Sequence, residues 1–250
     1  MPSIDINCDM GESFGAWVMG QDSELMPHIT AANIACGFHA GDPDVMLATV
    51  RAAIEHNVAI GAHPGLPDLQ GFGRRVMAMT ADEVYALVVY QVGALQAMAR
   101  SQGGRLHHVK THGALYNMTA RDPALADAVA RAVADVDPAL PIYVANAPIA
   151  KATLDRGLTA IYEVYADRTY QDDGTLTPRS QPHAMIEDVA QAIAQVKRMV
   201  KEGVVRALSG KDVPIKADTL CIHGDQPGAA VFARDIRAAL QAEGIEVRTV

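Results

Sequence analysis

Residues 3–9 alternate strictly between apolar and polar side chains. Ile4, Ile6 and Cys8 fall on one side of an extended chain, and Asp5, Asn7 and Asp9 on the other. An apolar face of this kind packs beneath helices, while the opposite face looks into a space that tolerates carboxylates. Strand-like runs recur at about 31–37, 58–63, 107–112, 141–146, 160–166 and 218–223. Between most of them lie helix-length segments with recognisable starts. Asp42-Pro43 and Asp122-Pro123 each place a capping acid before a first-turn proline, and Thr80-Ala81-Asp82-Glu83 is a capping-box sequence. Helical sequence also follows Asn146-Ala147-Pro148, fills roughly 184–202, and follows Gln226-Pro227 to about Glu243. Strands alternating with helices, without a break in composition, predict one α/β domain over residues 1–250: a closed or nearly closed (β/α) barrel, with an open doubly wound sheet as the alternative. Residues 167–183 read as one long polar loop, a candidate lid.

The same period places chemistry at the strand ends. Asn33, Ala35, Gly37 and His39 share a phase, as do Ala59, Gly61 and His63. His108, Lys110 and His112 share another; Glu163 pairs with Asp167, and Cys221 with His223 and Asp225. Strand five ends in phase at Asn146. In a barrel these groups converge on one mouth, where α/β barrels place their reactions. A single histidine there is commonly a hydrogen-bonded structural residue, but titratable groups gathered from several strands point to function. Lysine is rarely buried without a partner, so Lys110 is either an ion-pair partner of Asp9 or Glu163, or a cation for an anionic substrate or developing negative charge.

Asp9, His39, His63 and His112 also have the donor chemistry of a divalent-metal site, although no fixed-spacing motif such as HExxH supports it. Gly71-Phe72-Gly73-Arg74-Arg75 offers backbone donors and two guanidiniums for a phosphate or carboxylate; an ordinary turn with solvated arginines is the plain alternative. Neither a P-loop nor a dinucleotide fingerprint is visible.

Composition narrows the partners. A net charge of -8, without a basic run, argues against nucleic acid or an anionic membrane. Three cysteines without a CxxC pair do not make a disulfide framework, and Cys8 and Cys36 fall in the packing phase. No apolar stretch approaches the ~20 residues of a membrane span, and no signal-like start is seen, so a cytoplasmic setting is expected.

Several long strings resemble the LamB/YcsF family, the A subunits of 5-oxoprolinase (PxpA). They are 7–15 (NCDMGESFG), 32–43 (ANIACGFHAGDP), 61–68 (GAHPGLPD), 71–75 (GFGRR), 112–117 (HGALYN), 163–168 (EVYADR) and 223–225 (HGD). Two positions depart from the family pattern: Thr111 stands where proline is usual, and Pro182-His183-Ala184 replaces Pro-Gly-Ala. The resemblance implies an irregular seven-stranded, TIM-like (β/α) barrel of the glycoside hydrolase/deacetylase type. It also implies ATP-dependent opening of 5-oxo-L-proline to L-glutamate together with partner subunits B and C. ATP would be handled mainly by those partners, with Mg accompanying the nucleotide or a divalent ion bound at the site. A homo-oligomer of the chain is compatible with it too.

In a mechanism built on that activity, Asp9 or His63 is the base for water and His112 the acid to the leaving nitrogen. Lys110, with Arg74, stabilises the oxyanion or phosphate. Asn7, Glu163 and His223 orient the substrate, with Glu12, His39 and Arg168 as further binding residues. Two other classes stand beside it: a metal-dependent amidase or deacetylase that needs no ATP, and a non-catalytic scaffold of the complex.

Overall fold

The computed structural model describes residues 2–145, 147–224 and 228–250. The expectations at Asn146, Asp225 and Gln226-Pro227 lie outside the described residues.

Seven parallel strands close into a barrel. They are β1 (Ser3–Met10), β2 (Ala31–Ala35), β3 (Ala59–His63), β4 (Leu106–Val109), β5 (Ile142–Val144), β6 (Ala160–Tyr165) and β9 (Thr219–Ile222). They follow one another in that order, and β9 pairs back onto β1, with Asp5 opposite Thr219 and Cys8 opposite Ile222. The open doubly wound sheet is thereby excluded. The ring is irregular: β3 and β4 shift register between Ile60 and Gly61, and β4 meets β5 through the single pair Val109–Ile142. The pairing on either side of Thr111 is intact. The Lys110 N–H donates to the Ala62 carbonyl and the His112 N–H to the Pro64 carbonyl, both at 2.9 Å.

Helices form where their caps predict. Asp42 accepts from the N–H groups of Asp44 and Val45 at the start of α2 (Pro43–Glu55), and Asp122 caps α5 (Pro123–Val136) in the same way. Thr80 and Glu83 exchange both capping-box hydrogen bonds ahead of α3 (Ala81–Ser101). Helix α6 (Ala147–Asp155) follows β5, and α8 (Ala229–Ala242) follows β9. The helix expected over 184–202 begins later, as α7 (Val189–Glu202), because the Asp188 carboxylate caps the Gln191 N–H, and it stops at Gly203 with φ +67°.

Five features go beyond the sequence expectations: α1 (Asp22–Leu25), a single helical turn; a 3-10 turn over Met26–His28 that continues it; α4 (Gly113–Thr119), a helix directly after the fourth strand; a hairpin of β7 (Val204–Arg206) and β8 (Asp212–Pro214); and β10 (Glu246–Val247), which pairs with the first two residues of β1. Each element is seven residues or shorter, too brief to display a period. Among the described residues no helix is long and apolar enough to cross a membrane.

The polar loop is an ordered strap. The Arg168 guanidinium donates to the carbonyls of Thr177 (2.6 Å) and Ala184, and the Tyr170 hydroxyl accepts from the Tyr165 N–H. His183 sits within it at φ +61°, a left-handed conformation that glycine adopts without strain.

Candidate active site

The apolar phase of each strand packs under the helices, with Ile4, Ile6, Cys8, Ile34 and Cys36 all buried. The polar phase fills the barrel. In its lower layer, Asp5 accepts from the hydroxyls of Thr30, Tyr143 and Thr219. Above it, Asn7 donates to Thr219 and Asn33 donates to both Asn7 and Asp9. His108 donates to Asn33 and stacks on Tyr143 with ring centroids 4.0 Å apart. Gly61 makes room for that ring, since a Cβ there would lie 2.0 Å from His108 Nε2.

Lys110 stands at the top of this column, 3 % exposed. Its ammonium lies 3.0 Å from Asp9 Oδ1, 2.8 Å from Glu163 Oε1, 3.1 Å from Asn7 Oδ1 and 3.2 Å from Cys221 Sγ. Burial works to pull the ammonium down, yet Asp9, Cys221 and Glu163 outweigh it and hold its pKa well above the ordinary lysine value. Burial likewise works to raise Asp9, but His63 and Lys110 keep that carboxyl well below the usual range. Both groups are therefore charged near neutral pH. Cys221 is buried, and that burial pushes its thiol up.

Glu163 receives two further hydrogen bonds of 2.7 Å, from the Tyr116 and Tyr165 hydroxyls. Neither tyrosine is among the residues expected at the site. Tyr165 shares the strand phase of Glu163 two residues on, and Tyr116 lies one helical turn beyond His112 on α4, so the first was open to the same period and the second was not.

Four more residues gather beside Asp9. Glu12, His39, His63 and His112 bring one ligand atom each to within 4.8 Å of one another. His63 Nε2 is 2.9 Å from His112 Nδ1 and 3.3 Å from Asp9 Oδ2. Glu12 Oε1 lies 3.7 Å from His112 Nδ1 and 3.8 Å from His39 Nε2. The His39 and His112 rings stack at 3.8 Å. Burial, with His63 close by, pulls the His112 imidazole down to about 3, and burial with its two histidine neighbours holds His39 well below its ordinary value. Neither His39 nitrogen makes a hydrogen bond.

The remaining expected residues lie around this centre. Arg74 is exposed, its guanidinium 4.9 Å above the Phe72 ring, which itself contacts His39 and His112. Arg75 is engaged by Asp68 instead. His223 bridges Asp167 (2.9 Å) and Arg179 (3.1 Å). Arg168 braces the strap through backbone carbonyls.

Residues 4–250 match the LamB/YcsF family. The chain belongs to that family. A Bordetella bronchiseptica relative, named as the second 5-oxoprolinase A subunit of that organism, is 90 % identical over all of both chains. The crystal structure of a "Lactam Utilization Protein" of Thermus thermophilus is 48 % identical, covers 99 % of this chain and 100 % of its own, and superposes with a TM-score of 0.96. A GH113 β-1,4-mannanase shares the barrel alone, at 12 % identity and a TM-score of 0.54 over 97 % of this chain and 100 % of its own. In this LamB/YcsF protein, three short segments supply most of the mouth: 7–15 carries Asn7, Asp9 and Glu12, 32–43 carries Asn33 and His39, and 61–68 carries His63.

Proposed function

We propose that this chain is the A subunit of an ATP-dependent 5-oxoprolinase, which opens 5-oxo-L-proline to L-glutamate while ATP goes to ADP and phosphate, assembled with subunits B and C. The names of its relatives support the lactam. The observation that carries the chemistry is the buried Lys110 cation, set between Asp9 and Glu163 and beside the histidine cluster. With no recognised nucleotide motif in the sequence, phosphoryl transfer is assigned to the partner subunits.

A five-membered lactam is a stable amide, so its carbonyl needs activation. Transfer of a phosphoryl group to the lactam oxygen supplies it. Water then adds to the ring carbon, the C–N bond breaks to give an amine and an acyl phosphate, and a second water releases phosphate.

In this scheme Asp9, held ionised, takes the proton from the attacking water at Oδ2 and returns it to the leaving nitrogen. His112, held neutral, offers a lone pair and not a proton, so its role becomes that of an acceptor in place of the expected acid. Lys110 stabilises the negative charge that develops on the oxygen or its phosphate. Glu163 and Asn7 fix the Lys110 ammonium, while Arg74 and His223 at the rim meet the substrate carboxylate. A divalent ion held by Glu12, His39, His63 and His112 would supply Lewis-acid polarisation of a carbonyl or water.

The test is glutamate release from 5-oxoproline, with and without ATP, for the chain alone and for the mixture with subunits B and C. Release only from the full mixture with ATP is expected. ATP-independent release by the chain alone would overturn this reading in favour of a metal-dependent amidase, which the Glu12 and histidine cluster favours. A full mixture whose activity survives Asp9→Asn would make the chain a scaffold.

A further inference from the structure

Two backbone carbonyls decide which nitrogens of the cluster carry hydrogen. A carbonyl only accepts, so His63 Nδ1–H donates to Lys110 O at 2.7 Å and His112 Nε2–H donates to Phe72 O at 2.9 Å. In neutral rings the opposite nitrogens are then bare. Those two, His63 Nε2 and His112 Nδ1, face each other at 2.9 Å with lone pairs converging. The arrangement is repulsive unless something positive sits between them. Fixing a ligating histidine through a carbonyl on its other nitrogen is how proteins prepare imidazoles for a metal.

His39 gives a second, independent observation. Its side chain is fully buried, and both ring nitrogens lack a hydrogen bond. A buried polar group left this way costs roughly 1–3 kcal/mol. A proton shared by His63 and His112 would relieve their repulsion, yet it would do nothing for His39. A cation does both.

The space is shaped for these rings. A Cβ at Gly65 would lie 2.4 Å from His39 Nδ1, and one at Gly73 would lie 2.7 Å from His39 Cβ and 3.0 Å from His112 Cδ2. Tetrahedral ligands about 2.0–2.2 Å from an ion stand roughly 3.3–3.6 Å apart. The contacts of 2.9, 3.7 and 3.8 Å bracket that range.

We infer that Glu12, His39, His63 and His112 hold one resident first-row divalent cation of the zinc class at the barrel mouth. Three imidazoles and one carboxylate suit zinc or cobalt, and suit poorly the all-oxygen preference of magnesium. The site goes beyond the oxoprolinase reading and does not depend on which lactam is opened.

The test uses the full chain, free of any histidine tag and purified without chelator. Elemental analysis by plasma mass spectrometry is expected to find about one equivalent of zinc-class metal per chain. Protein stripped of metal and titrated with Co²⁺ is expected to develop the visible ligand-field bands of tetrahedral cobalt, saturating at about one equivalent. Glu12→Gln and His63→Gln each weaken that titration by more than about tenfold. His56→Gln, at an exposed histidine outside the cluster, leaves it unchanged.

The wild-type titration decides even where a variant fails to fold. No metal on isolation and no cobalt bands would overturn the site and leave the shared proton. Glutamate release by the mixture with subunits B and C is scored separately. A metal-loaded chain that supports no release removes the oxoprolinase reading alone, and a chain that takes up neither zinc nor cobalt yet supports release removes the metal site alone.

Discussion

Two polar layers share the inside of this barrel, and they differ in how their atoms are satisfied. Deeper in the barrel Asp5, Asn7, Asn33, Tyr143 and Thr219 are joined by hydrogen bonds that reach the mouth only through Asn33 to Asp9 and Lys110 to Asn7, and His108 is both bonded and stacked. At the mouth, His39 has no hydrogen bond, two imidazole nitrogens face each other at 2.9 Å, and Asp9 stays ionised beside a lysine. Both layers are built from the same kinds of residue. A saturated network specifies a core, because each group already has its partner. An unsaturated one is a place prepared for something else, and the cost of leaving it so falls on stability.

Lys110 joins the layers, so Lys110→Met gives the largest effect. It leaves the buried Glu163 and the half-buried Asp9 without their cation, costing about 3–5 kcal/mol in denaturant unfolding. Glutamate release by the full mixture should fall at least about 10²-fold with it. Retained turnover in a folded variant would move Lys110 wholly into the structural layer.

Asp9→Asn belongs to the mouth. Turnover should fall by roughly 10²–10⁴. Stability should change by no more than about 2 kcal/mol, since Glu163 still faces Lys110. A large drop in stability with turnover intact would reverse the distinction.

Gly61→Ala belongs to the lower layer. Its methyl group meets the His108 ring at 2.0 Å, and that ring is pinned against Tyr143. A destabilisation of roughly 1–3 kcal/mol is expected, and unfolding curves that overlay the wild type would show the layer to be looser than described. The smallest effect is at the strap. His183→Gly relieves a left-handed residue but adds backbone freedom, so a gain of at most about 1 kcal/mol is expected, without change in turnover. A loss would mean that His183 is held by its side chain.

Much of this was legible in the chain. Period two separated Ile4, Ile6 and Cys8 from Asp5, Asn7 and Asp9, and the structure keeps that division around the ring. The caps at Asp42, Thr80 and Asp122 were read correctly because a cap is a local hydrogen bond, settled within a single turn of chain. The start of α7 was misplaced because the strap's own contacts, Thr169 with His183 and Arg168 with Ala184, claim the residues ahead of Asp188.

The candidate residues at the mouth were chosen by phase and by family strings, but their partners were not. Glu12 stands with the three histidines in the group of four where Asp9 was expected; Asp9 Oδ1 is engaged by Lys110 and Asn33, while its Oδ2 touches only His63, at 3.3 Å. Arg168 lies in a family string, yet it is consumed by backbone carbonyls that a sequence does not display.

By itself, the sequence determined which face of each strand is apolar, where the well-capped helices begin, and which residue types meet at the carboxyl ends of the strands. These depend on interactions a few residues long. Only the tertiary structure decided which of those residues are saturated and which are left waiting. That outcome rests on closure between β9 and β1, and on carbonyls such as Lys110 O and Phe72 O, which hold the histidine tautomers from positions 47 and 40 residues away.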